Sequence, residues 1–224
     1  MKFFVEKKVL DIGVKIIFPV IYGIDNRSVS GEWLSRREDA LKGIAEKYEN
    51  IDFHEDSIFE GFHILHDRSG VKRRKNVPAG ENLIRLLKKH GSMPVINQAV
   101  DIYNIISMES KLALGAHDIN RTEGNVTLRF TDGTERFAPI GGEAGSAATG
   151  EYCYCDDRGD VLCRLEIRQS EKTKVDENSK DIFYIVQGNE SVPDELLRDV
   201  AERIIAETTK YCGGEGHIRI PEVV

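Results

Sequence analysis

Cys153 and Cys155 flank a single tyrosine, a spacing that on a β-strand turns both thiols to one face. With Cys163 across a hairpin they could form part of a zinc site. Structural zinc takes four ligands, commonly from short Cys-spaced pairs, and only Cys212 and scattered histidines remain. The three thiols therefore read as small buried residues of strands. His63 and His66 lie three apart, as a ligand pair on a helix would. No His-Glu-x-x-His pattern accompanies them, so they read as surface or partly buried side chains. Residues 141–150, Gly-Gly-Glu-Ala-Gly-Ser-Ala-Ala-Thr-Gly, lack the Lys-Ser/Thr pair of a phosphate-binding loop. They read as a loop over a substrate or a plain connection. Lys72, Arg73, Arg74 and Lys75 form a compact basic run, either a solvated face or a set of phosphate contacts for RNA. No Ser-His-Asp set can be named from spacing, and no nucleophile stands out.

The elements that must position these residues follow from periodicity. Residues 13–24 are β-branched and aromatic and read as a strand, with Pro19 marking an edge or a bulge. Ser30 caps a predicted helix over 32–48, on which Trp33, Leu34, Leu41 and Ile44 recur at helical spacing. A short helix is predicted over 57–66. Another runs from Pro78 to His90, where Gly91 stops it. Ile96, Val100, Tyr103 and Ile106 suit one face of a helix reaching Ser110. After it the chain changes character. Residues 125–130 and 135–140 read as a hairpin around Asp132-Gly133, and 152–155 with 161–167 as a second hairpin. Residues 182–186 read as a buried strand, and Pro193 opens a last helix to Cys212. The pattern is α/β, of the mixed α+β kind, and no linker divides residues 1–224.

The chain has 224 residues, enough to bury a core without disulfides or metal. No apolar run reaches membrane-spanning length, and the first residues lack an apolar signal core. A cytoplasmic protein with reduced thiols is expected. The formal net charge of -7 weighs mildly against a nucleic-acid partner, although a local basic patch can bind phosphate on an acidic protein.

Residues 94–133 are the most informative. Asn97, Val100, Asp101, Asn104, Glu109, Ala116, Asp118, Glu123, Gly124 and Arg129 match, in order, a helix, loop and strand at the centre of a known domain. The stretch Arg168-Gln169-Ser170-Glu171-Lys172-Thr173-Lys174 looks like the signature of stand-alone proteins carrying it. The chain thus resembles the B3/B4 editing domain of the phenylalanyl-tRNA synthetase β subunit over about residues 90–190. The resemblance implies a three-layer α/β domain whose central sheet has unusual topology and is flanked by helices. It implies a trans-editing hydrolase that deacylates a misacylated tRNA. The expected partner is the acceptor end of tRNA, with no cofactor, no metal, no DNA and no membrane.

The resemblance also places the site. Glu171 would bind the substrate ammonium or orient water. Asn104 would bind the carbonyl or terminal ribose, and His117 would orient water or touch the ribose. Asn97, Gln98, Tyr103, Gly115, Arg168, Thr173 and Lys174 would contact substrate, with Arg168 or Lys174 on phosphate. Lys72, Arg73, Arg74 and Lys75 would contact the tRNA. Two departures stand out: Tyr103 replaces a pocket threonine of the family, and Gly115 falls where the family has a loop histidine, leaving His117 two residues away. An activated ester needs a placed water and a stabilised oxyanion rather than a covalent nucleophile. Two other functions fit the same residues: a non-catalytic tRNA-binding module, and a pocket protein for a free amino acid.

Overall fold

The strand β2 (Lys15–Tyr22) is buried over almost its whole length, and its two faces go to different cores. In the computed structural model, which describes residues 1–224, Ile17 and Ile21 face one core with Leu114, Tyr184 and Val186. Ile16, Phe18 and Val20 face the other with Phe3, Val126, Tyr154 and Phe183. That division is the period-two alternation of a strand covered on both sides, and it fixes three layers.

The middle layer is a four-stranded antiparallel sheet in the order β11 (Glu215–Arg219), β2, β10 (Ile182–Gly188), β3 (Ala113–Asp118). One face is covered by α2 (Gly31–Lys47), α4 (Ala79–His90), α5 (Gln98–Ser110) and α6 (Asp194–Cys212). The other face packs on a six-stranded sheet ordered β12 (Glu222–Val223), β1 (Phe3–Val5), β4 (Val126–Phe130), β7 (Tyr152–Asp156), β8 (Val161–Arg164), β9 (Arg168–Gln169). There β1 runs parallel to both of its neighbours, and the other pairs are antiparallel. Helix α3 (Ser57–Arg68) adds Phe62 and Leu65 to the core between the sheets. The short α1 (Lys7–Asp11) follows β1. The fold is therefore mixed α/β in three layers, with helices on one face of the middle sheet and a second sheet on the other. No helix is long and apolar enough to cross a membrane.

Local chemistry sets the element ends. Ser30 accepts from the Trp33 amide at 3.1 Å, Asp56 from Ile58 and Phe59, and Asn97 from Val100 at 3.0 Å, so three helices begin on side-chain caps. Gly91 ends α4 in the left-handed region.

Several sequence expectations are corrected. Asp132-Gly133 does not turn a hairpin: β4 pairs with β1 and β7, while β5 (Arg136–Phe137) pairs with β6 (Gly145–Ser146). The buried carboxylate of Glu135 accepts from the backbone amides of Asp132 and Gly133 and pairs with Arg129, which holds the turn open. Pro19 lies in an interior strand, not at an edge. Its ladder to β10 runs through Val20 and Ile21 and resumes at Ile17, so the missing N–H falls in a gap of the pairing. Cys163 lies opposite Tyr154 and shares its face, away from Cys153 and Cys155. Burial pushes all three thiols up. No cluster of three or more His, Cys, Asp or Glu side chains is placed to hold a metal ion. His63 and His66 are both buried, each against a carboxylate: Glu81 at 2.9 Å and Glu166 at 2.6 Å.

Candidate substrate cleft

β3 and β9 are the outer strands of their sheets, and the chain leaving β9 runs along β3. Asp118 donates its amide to the Thr173 carbonyl at 2.9 Å, and His117 bridges to Lys174. Residues 138–140 lie along the other side of this segment, with Ile140 N–H donating to Gln169 and Glu171 N–H to Ala138. The two sheet edges thus meet beside the N-terminal end of α4. Gly80 brings that end close: a Cβ there would stand 3.3 to 3.4 Å from the carbonyl oxygens of Leu112, Lys111 and Ser107. Any larger residue would push the first turn of α4 off the α5–β3 turn.

Between these parts opens a cleft of about 430 Å3, lined by Lys75, Val77, Asn82, Ile140, Ile167, Arg168 and Gln169. Lys75 and Arg168 are exposed and neither is in an ion pair. No carboxylate lines the cleft. Its inner wall, Ile167 and Gln169, is shared with a small cavity of about 30 Å3, bounded also by Ala79, Leu114, Gly115, Cys163, Glu166 and Ile185. Gln169 stands at the boundary. Its amide donates to the Tyr103 hydroxyl at 3.0 Å and would lie 3.1 Å from a Cβ on Gly115. Burial pushes the Tyr103 phenol up to about 12, so it stays a neutral hydroxyl.

Glu166 closes the inner end. It pairs with His66 at 2.6 Å and accepts from the Tyr152 hydroxyl, whose oxygen lies 3.4 Å from the Gln187 amide nitrogen. Burial raises the Glu166 carboxyl, but the charge and hydrogen bond of His66 outweigh it and hold it below its ordinary value. Burial likewise lowers His66, and Glu166 more than offsets that, so the imidazole is raised. The cleft therefore carries two free cations at its mouth and, behind its inner wall, a Glu166–His66 pair whose charges offset each other.

The residues singled out in the sequence divide among several places. Tyr103, Gly115 and Arg168 come together at this cleft and cavity, and Lys75 joins them from the basic run. Arg73 is spent on Glu60 and Asp67, while Lys72 and Arg74 are exposed beside Lys75. Glu171 is exposed outside the cleft and paired with Lys174. His117 is wholly buried between the sheets, its Nδ1 bonded to Thr173 Oγ1 at 2.8 Å, and desolvation pushes it down to about 3. Asn104 lies beside Arg37, Asp101 and Met93, where α5 faces α2 rather than the cleft. Asn97 caps α5, donates to the Val175 carbonyl and accepts from Asn26. Gln98 ties Ser30 to Tyr211. Sequence reasoning missed Gln169, Asn82, Ile140, Ile167 and Glu166. Gln169 lies inside the 168–174 signature next to Arg168, and the His63/His66 spacing was the trace left by the buried Glu166 pair.

The B3/4 domain family matches residues 68–213, well over half of the chain. The chain belongs to the B3/4 domain family. The β subunit of phenylalanine–tRNA ligase from Fusobacterium nucleatum is 29% identical over 91 residues, which span 41% of this chain and 11% of that protein. The corresponding subunit from Mycoplasma genitalium is 24% identical over 110 residues, 49% of this chain and 13% of the relative. This B3/4 chain thus spans only a small part of the curated relatives it matches. In fold it is similar to an N-terminal fragment of the phenylalanyl-tRNA synthetase β subunit from Pyrococcus horikoshii, with a TM-score of 0.51 at 16% identity. That match covers 100% of this chain and 51% of the fragment. The family match takes in α4, α5, β3, β8 and β9, which build the cleft and its inner cavity.

Proposed function

We propose that this B3/4 chain is a trans-acting deacylase that hydrolyses the ester between an amino acid and the 3′ end of a tRNA. The observation that carries the reading is the polarity of the site. Unpaired Lys75 and Arg168 face the cleft, and the buried Glu166–His66 pair lies behind its inner wall. An aminoacyl-tRNA end is complementary to the two cations through its phosphates, while its ammonium is repelled by them. Lys75 and Arg168 hold the phosphates of the terminal nucleotides, and the aminoacyl group points inward towards Glu166.

Hydrolysis adds water to the ester carbonyl, breaks the bond to the ribose oxygen and returns a proton to that oxygen. Helix α4 begins at Pro78 with no side-chain cap, and Ala79 lines the inner cavity. Its first-turn N–H groups and the positive end of its dipole stabilise the oxyanion. Gln169, held by Tyr103, presents its carbonyl oxygen to the attacking water. His117 acts at one remove, holding Thr173 in the segment that follows Gln169. The absence of a carboxylate or an open imidazole from the cleft lining favours, as a second reading, a module that binds the tRNA end without cleaving it.

The test is release of amino acid from a panel of aminoacylated tRNAs, with wild type beside the Lys75→Ala/Arg168→Ala double variant. Release by wild type, and a rise in KM for the double variant, is the expected result. Binding without release across the whole panel would replace the deacylase by the binding module.

A further inference from the structure

We propose that the ester cleaved at this site carries a small amino acid: glycine, alanine or serine. This rests on the deacylase reading above and adds to it the class of acyl group. The two cations oppose an ammonium in the outer cleft, so the aminoacyl group is driven to the inner end, beside Gln169 and Gly115. The space there is about 30 Å3. That holds one or two water-sized groups: a hydrogen, a methyl or a hydroxymethyl, but no ring and no long chain.

The walls that set this size come from the frames of both sheets. Leu114 and Gly115 belong to β3, Ile185 to β10 and Cys163 to β8, all buried and paired into their ladders. They cannot withdraw without opening the layers they join. The one wall with freedom is Gln169, half-buried on β9 and held by the Tyr103 hydroxyl. Gln169 and Tyr103 together act as the size gate.

The experiment uses the full chain and tRNAs charged with glycine, alanine, serine, phenylalanine, tyrosine and arginine. Wild type should release the three small amino acids at least tenfold faster than the large ones, the order of discrimination a closed apolar pocket gives, roughly 10- to 200-fold. Gln169→Ala, a change at a half-buried edge position that should leave the fold intact, removes the water-holding carbonyl and the gate together: it should slow release of every amino acid and narrow that ratio, phenylalanine and tyrosine losing less than glycine, alanine and serine. Gly115→Ala, whose new Cβ would press on Gln169, should depress alanine and serine more than glycine. Equal release of tyrosine and alanine by wild type would overturn the size gate while leaving the deacylase standing. Release of nothing by wild type or either variant would overturn the deacylase reading, and the size gate with it.

Discussion

Two buried histidines a few ångströms from aromatic or acidic neighbours are driven in opposite directions, and this can be read out residue by residue. His66 has the Glu166 carboxylate at 2.6 Å and is raised; His117 has only Thr173 and the Phe183 ring, and burial lowers it to about 3. The linkage signs follow. The unfolded state protonates a residue like His117 below about 6.5 while the fold does not, so stability is lost as pH falls from there towards 3. The slope is about 1.4 kcal/mol per pH unit for one proton. The raised His66 contributes stability that is fully present below about 6.5 and lost as pH rises through its folded value. The lowered Glu166 contributes stability present above its unfolded value and lost as pH falls through its folded one. A histidine ring-proton NMR titration from pH 8 to 5 should therefore find His117 neutral throughout and His66 titrating above the ordinary histidine midpoint. A His117 resonance that titrates near 6.5 would mean that the ring reaches water, and would reopen a direct role for it. Breaking the other pair has a larger cost. Glu166→Ala leaves a buried imidazolium without its partner and should lower stability by about 3–5 kcal/mol in urea unfolding.

At the scale of elements, the cap of α5 ties the helical layer to the rest. Asn97 accepts from Val100 and Asn26 and donates to Val175, all buried. Asn97→Ala should lower the urea midpoint by the equivalent of about 1–3 kcal/mol without changing the slope of the transition. A loss under half of that would show water replacing the amide. Elements of this kind were legible in the sequence where their signals are local: Ser30 and Gly91 mark helix ends, and the turn at residues 157–160 marks the β7–β8 hairpin, whereas Asn97, expected as a substrate contact, is the α5 cap. The Asp132-Gly133 turn misled because Glu135 and Arg129, not the turn dipeptide, decide where the chain goes. Pro19 misled because a gap in the ladder is visible only once the register is set. At the site, Tyr103, Gly115 and Arg168 were reachable through the family pattern. Glu166 and Ile140 were not, because they meet the others only through the pairing of two sheet edges far apart in sequence. The helix face of Asn104 depended on which side of α5 met the sheet, and periodicity alone left both sides apolar.

For the whole molecule, the tension is between an acidic chain and an anionic partner. Thirty-one basic residues stand against 38 acidic ones, yet Lys75 and Arg168 line a cleft with no carboxylate, and Lys72 and Arg74 stand beside it. Net charge sets long-range repulsion, which salt screens, whereas contact cations displace counterions from the phosphates and make binding weaken with salt. The two effects bend a salt titration in opposite directions, so the sign of the slope shows which dominates. If all four cations reach single-stranded phosphates, log affinity should fall with log salt at a slope of about -3, near 0.7 per contact. Lys75→Ala and Arg168→Ala should each make the slope shallower by roughly 0.7, and Arg73→Ala should not, because its guanidinium is already committed to Glu60 and Asp67. Fluorescence anisotropy of a labelled tRNA across a potassium chloride series measures all three. A slope unchanged in the Lys75 and Arg168 variants would move the phosphate track away from this cleft and remove the electrostatic basis for pointing the aminoacyl end at Gln169.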